Sequence, residues 1–165
     1  MALIAKLKKR LQPQERNRYH FILIESPLDT VEREIILWGE ALWWPKKSRL
    51  QFVRTTSGGI GTGARYQARL LTFWGPRWEV EVTKLMDGHQ IQRTFSHRRF
   101  ILEENLNLEE RYNGTKVNYW LTYRIPGLFH RILWQVFFQR LFDKTIAMAL
   151  ASLKDYIESQ KGFEE

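Results

Sequence analysis

Arg93, Glu104 and Tyr123 have the chemical types, and the spacing along the chain, to form a polar anchor inside an otherwise apolar environment. Their proximity follows from turn arithmetic. Two-residue loops at Asp87-Gly88 and Asn113-Gly114, with Arg98-Arg99 as a weaker turn between them, fix the antiparallel registers. Met86 then faces His89, Val82 faces Arg93, Val80 faces Phe95 and Trp78 faces His97. Across the second turn Arg93 faces Glu104, Phe95 faces Leu102 and Ile91 faces Leu106. Across the third, Glu104 faces Tyr123, Leu102 faces Ile125, Leu106 faces Leu121 and Leu108 faces Tyr119. An inward arginine and carboxylate must be paired, because a lone buried charge costs several kcal/mol. Such a trio can orient a ligand in a greasy pocket, or it can be a structural ion pair that touches no ligand. The residue pattern supports the two roles equally.

Other candidate chemistry is weaker. His89 and His97 share the inner face but sit near opposite strand ends, and His20 and His130 come from elsewhere, so no metal-ligand spacing emerges and no cofactor is implied. The serines stand in loop-like contexts without a nucleophile motif. Glu79, Glu81, Glu103 and Glu109 read as solvated charge on the outer face. The run Ser57-Gly58-Gly59-Ile60-Gly61-Thr62-Gly63 lacks the lysine and hydroxyl of a phosphate loop and precedes a strand, so it reads as a hairpin turn or lid. With no cysteine in the chain, disulfides, thiolate metal sites and cysteine nucleophiles are excluded. A reducing, cytoplasmic setting suits that composition.

The elements that must position the trio are readable from periodicity. Residues 19–25 are rich in β-formers and end at Ser26-Pro27, giving a first strand. Residues 28–42 carry Val31, Ile35, Trp38 and Leu42 along one side of a helical stretch, with Gly39 as the point where it can split into two short helices. Residues 49–54 and 64–73 give the next two strands. A long loop at Gly75-Pro76 would turn Tyr66, Ala68 and Leu70 inward. The three later turns agree on one apolar sheet face and one wet face, a consistency that a one-residue slip would destroy. Residues 127–158 form a long terminal helix whose first half is apolar around most of its circumference, with Arg131, Gln135 and Gln139 as its polar stripe. Trp78, Phe95, Leu106, Tyr119, Phe129, Leu133 and Phe137 are the side chains expected to fill the core or to line a pocket between helix and sheet.

The net charge of +8 is concentrated. Residues 1–18 hold six cations against Glu15, which accounts for +5 of it. A nucleic-acid groove in the folded body is therefore not expected. Leu3, Ile4, Leu7 and Leu11 fall opposite the lysines of a leader, residues 1–16, at helical spacing. That is the pattern of a frayed terminus or of a peripheral contact with an anionic membrane. The domain itself is expected over residues 17–160, with 161–165 as a tail. No stretch reaches the length of a spanning helix.

The order strand, two short helices, a meander of strands and a long terminal helix resembles the helix-grip fold of the START and Bet v 1-like superfamily, which includes polyketide cyclases and lipid-transport proteins. The residues from Ile24 through Val31, Trp43-Trp44-Pro45, Gly61-Thr62-Gly63 and the helix end Leu150, Leu153, Lys154, Ile157 and Glu158 carry the likeness. The resemblance implies an α+β domain with a curved antiparallel sheet of about seven strands gripping the helix. It also implies a cavity for a hydrophobic small molecule such as a lipid, isoprenoid or polyketide. A carrier is the first expectation. A cyclase-type enzyme, with Arg93 or Tyr123 polarising a carbonyl, and a membrane- or ribosome-associated module of quinone-binding type are the alternatives.

Overall fold

The computed structural model describes residues 15–72, 75–86 and 89–161. The chain runs β1 (Glu15–Ile24), α1 (Leu28–Ile35), β2 (Leu50–Arg54), β3 (Arg65–Leu70), β4 (Arg77–Met86), β5 (Gln90–Ser96), β6 (Ile101–Arg111) and β7 (Gly114–Arg124), followed by the terminal helix. All seven strands form one antiparallel sheet in the order β1-β7-β6-β5-β4-β3-β2. The amphipathic helix expected of Leu3 to Leu11 lies outside the described residues, as does the Asp87-Gly88 turn. Glu15 and Arg16, assigned to the leader, belong to β1.

The alternation of the sequence places the core. In β5 and β6 every second residue is buried, and Phe95, Leu102 and Leu106 join Trp78, Val80, Tyr119 and Leu121 on the inner face. Tyr66, Ala68 and Leu70 are buried as the long loop requires. The β5–β6 register is the expected one, with Arg93 opposite Glu104. β4 pairs Val82 with Arg93 as expected, but a bulge between Val82 and Lys84 shifts the strand end, so Met86 pairs with Gln90 and not with His89. A bulge of this kind adds one unpaired residue and tightens the local twist.

The last hairpin is two residues out of the expected register. Arg111 pairs with Gly114, so the loop is Tyr112-Asn113, and Glu104 faces Leu121 and not Tyr123. The glycine serves a different purpose from the one inferred. Gly114 has φ +139°, and a Cβ there would lie 2.1 Å from the Ile24 carbonyl oxygen. It is the close approach of β1 that demands glycine, not the turn centre. A slip of two keeps every side chain on its expected face, which is why the inner face survives the error.

α1 buries Val31 and Ile35 and is followed by Trp38, also buried. The second short helix resolves into hydrogen-bonded turns, Ala41 N–H to Leu37 O at 2.9 Å and Trp44 N–H to Ala41 O at 3.0 Å among them. Leu42, expected on the buried stripe, is 92% exposed because the helical phase is lost beyond Ile36. The terminal helix is continuous but not uniform: α2 (Leu128–Leu133), a π-helical turn (Trp134–Phe138) and α3 (Gln139–Lys161). α3 presses Phe142, Ile146, Ala149, Leu150, Leu153 and Ile157 onto the sheet, whereas α2 has no buried residue. Arg18 and His20 of β1 clasp the helix through Asp143, at 2.6 and 3.3 Å.

Candidate functional site

The polar centre of the inner face is built by β5, β6, β7 and the turn after α1. Arg93 and Glu104 are both fully buried, with Arg93 Nε 3.8 Å from Glu104 Oε2. Arg93 Nη1 donates to the Trp38 carbonyl at 3.0 Å, and Trp38 Nε1 donates to Glu104 Oε1 at 3.3 Å. The guanidinium carbon stands 5.6 Å from the Tyr66 ring centre, a cation–π position. Trp38 therefore closes a three-membered network that the sequence did not reveal. The signal was present, because an indole placed on a buried helix stripe must find an acceptor for its N–H.

Tyr123 does not join this centre. Its hydroxyl donates to Gln139 Oε1 at 3.1 Å, tying β7 to the start of α3. Tyr119, expected only as a lining residue, takes its place beside Glu104. Burial, then the neighbouring Glu104 carboxylate, pushes the Tyr119 phenol well above its ordinary range, so it stays protonated. Burial also pushes Glu104 upward, opposed by Arg93, Tyr119 and Trp38. Arg93 Nη2 and Trp134 Nε1 are buried without a hydrogen-bond partner, while Arg93 Nε and Glu104 Oε2 face one another at 3.8 Å, beyond hydrogen-bond length. A buried ion pair held this loosely is a costly choice for a core that serves packing alone.

Between this centre and solvent stands a wall of rings. Trp134, on the π-helical turn, meets Tyr123 at 5.4 Å, Phe100 at 5.7 Å and Trp78 at 6.4 Å between ring centres. Phe142 and Phe95 pack behind it at 6.4 Å from one another. Trp78, Phe95, Leu106 and Tyr119 are thus buried in an interior that is closed in this structure. Phe129 and Phe137 do not reach it. They are 72% and 63% exposed, because the helix phase turns them away from the sheet. Leu133 is half-buried between the two environments.

On the outer side of the same turn lies an apolar groove of about 670 Å³, lined by Thr72, Leu133, Val136, Phe137, Phe138, Arg140, Leu141 and Lys144. Phe138 and Leu133 also line a second recess of about 480 Å³ with Pro76, Phe100, Phe129 and His130. In that recess His97 stacks on Phe100 at 5.4 Å, and burial together with Arg99 and His130 lowers its pKa. His20 binds Asp143 and His89 lies 3.6 Å from Glu32. Among the described residues no cluster of histidine and carboxylate side chains could hold a metal ion.

At the level of sequence, no protein-family model and no curated protein matches the chain. Solved structures do. Norcoclaurine synthase from Thalictrum flavum, in complex with dopamine and hydroxybenzaldehyde, superposes with a TM-score of 0.67 at 8% identity, over 93% of this chain and 92% of that one. Ara h 8.0201 matches with a TM-score of 0.65 at 12% identity, over 88% and 99% of the two chains. A Thermus thermophilus protein gives 0.63 at 18% identity, over 89% and 99%. The chain has the Bet v 1-like helix-grip fold: a curved seven-stranded antiparallel sheet closed by a long C-terminal helix.

Proposed function

We propose that this protein binds and carries an apolar small molecule, of lipid, isoprenoid or polyketide type, against the first turns of its terminal helix. The observation that carries the reading is the groove along Leu133, Val136, Phe137, Phe138 and Leu141, which is almost wholly apolar and separated from the aromatic interior by one layer of side chains. Its floor is the π-helical turn bearing Trp134. Turns of this kind are inserted into helices at a cost and recur at functional sites. Because α2 buries nothing, lifting it sacrifices little packing. Displacement of Trp134 would then join the groove to the buried polar groups of Arg93, Glu104 and Tyr119. Arg140 and Lys144 at the rim suit an acidic head group on such a ligand.

A carrier is favoured over an enzyme by the burial of that centre. Arg93, Glu104 and Tyr119 are all completely buried, and none presents a nucleophile or an exposed base to the groove. Norcoclaurine synthase shares the fold, and a shared fold alone carries no shared chemistry.

The test is mass spectrometry of organic extracts from the purified protein, together with uptake of a fluorescent long-chain fatty acid. A reproducible apolar molecule, and uptake weakened about tenfold by a charge at a half-exposed groove position, Val136→Arg, are expected. An empty extract with no uptake would overturn the reading.

A further inference from the structure

The outward face of the terminal helix start is larger than the groove. Leu128, Phe129, Ile132, Val136 and Phe137 are each more than half exposed, and none is covered by another described element. Single exposed apolar side chains need no explanation, but five on ten residues of one helix form a contiguous patch. Cations border it: Arg140 and Lys144 follow on the same helix, both exposed, and Arg99 reaches the opposite border, where its Nη1 lies 3.0 Å from His130 Nε2. Asp143, the acidic residue nearest these helix cations in sequence, is turned inward and neutralised by Arg18.

We infer that this face docks onto the surface of an anionic lipid bilayer, with Leu128, Phe129 and Ile132 entering the interfacial layer and Arg140 and Lys144 meeting the head groups. Charge complementarity selects this occupant. An apolar face with a cationic border fits lipid acyl chains beneath anionic phosphates, whereas a second copy would bring like charges together. No helix among the described residues is long and apolar enough to cross a membrane, so the contact is superficial. The docking stands on exposure and charge. Its purpose rests on the ligand reading above: the mouth of the groove opens within the docked face, so an apolar ligand would pass between bilayer and protein without crossing water.

The experiment is co-sedimentation of the full chain with vesicles of phosphatidylcholine alone and with a third phosphatidylglycerol. The chain is expected to bind the anionic vesicles and to be released by high salt. Phe129→Asp and Ile132→Asp, both outside the groove, should each lower partitioning about tenfold. Arg140→Glu with Lys144→Glu should abolish the preference for anionic lipid. Tyr112→Asp, in the β6–β7 loop, should change nothing. Unaltered binding by the Phe129 and Ile132 variants would overturn the inference, since attachment would then run through the basic leader. So would a stable dimer in sedimentation equilibrium that Phe129→Asp dissociates. Fatty-acid uptake measured without vesicles separates the two proposals: uptake without docking sinks this one alone, and docking without uptake sinks only the carrier reading.

Discussion

Replacing Glu104 by leucine tests the polar centre most directly. The substitution removes the carboxylate that faces Arg93 across β5 and β6 and leaves the guanidinium with the Trp38 carbonyl as its hydrogen-bond partner. Both side chains are completely buried, so neither solvent nor a rotamer change offers the arginine an easy substitute. Orphaning one member of such a pair costs about 3–5 kcal/mol. For a chain of this size the melting midpoint should fall by roughly 6–20 °C, at about 2–4 °C per kcal/mol. Arg93→Met alone should cost a similar amount, because it strands the buried carboxylate with neutral donors, the Trp38 indole and the Tyr119 hydroxyl, and no counter-charge. The double variant should return to within about 1 kcal/mol of the starting stability, or exceed it, since a buried pair repays its desolvation poorly. Urea unfolding followed by tryptophan fluorescence, with a common slope, gives the three free energies and their coupling. Single variants that each cost under about 1 kcal/mol, or a double variant that costs their sum, would refute the account. The double variant also separates the two roles that the sequence leaves open: a stable fold that no longer takes up fatty acid makes the pair an anchor, and unaltered uptake makes it structural.

Tyr119→Phe removes the buried hydroxyl beside the Glu104 carboxylate, and should cost about 1–3 kcal/mol, the worth of a hydrogen bond to a charged group. A neutral or stabilising result in the same urea titration would show that the hydroxyl gives Glu104 no hydrogen bond. Asp143 gives the pH dependence. Burial raises its pKa, but hydrogen bonds from His20 and Arg18 outweigh that and hold it below its ordinary value of 3.8. A carboxylate depressed in the folded state contributes stability above its unfolded pKa and loses it as pH falls through the folded one. The clasp between β1 and the helix should therefore weaken below about pH 4, and Asp143→Asn should flatten that limb of the stability profile, as thermal melts across pH 2–7 would show. An unchanged profile would exclude Asp143 as its source.

The sequence exposed the fold more readily than the site, and the difference has physical causes. Alternation with period two identifies the inner face from local information, and that face tolerates a register error of two. This is why Phe95, Leu102, Leu106, Tyr119 and Leu121 come together despite the misplaced β6–β7 loop. Which polar groups touch does depend on the absolute register. Tyr123 and Tyr119 exchange roles through that one loop, because Gly114 is required by Ile24 of β1, ninety residues earlier, whose approach no local pattern announces. Trp38 is similar. Its helical phase marks it as buried, but its meeting with Glu104 is a contact across 66 positions of sequence.

Phe129 and Phe137 stay out of the interior for another reason, and that placement sharpens the function. A helix laid on a sheet needs one apolar stripe, and α3 provides it with Phe142, Ile146, Leu153 and Ile157. Apolar side chains usually go inside, so the surplus in residues 128–137 points inward by composition alone, but no described element lies over that side. A surface of this kind costs solubility whenever it stays uncovered. It is tolerable if the face is used at intervals, in contact with something as apolar as itself. The same ten residues contain the π-helical turn, the unburied α2 and the indole that closes the interior. Surface and gate are thus one element. Insertion of Phe129 and Ile132 into a bilayer would offset the packing lost when Trp134 swings aside, so that opening would be coupled to the place where an apolar ligand is found.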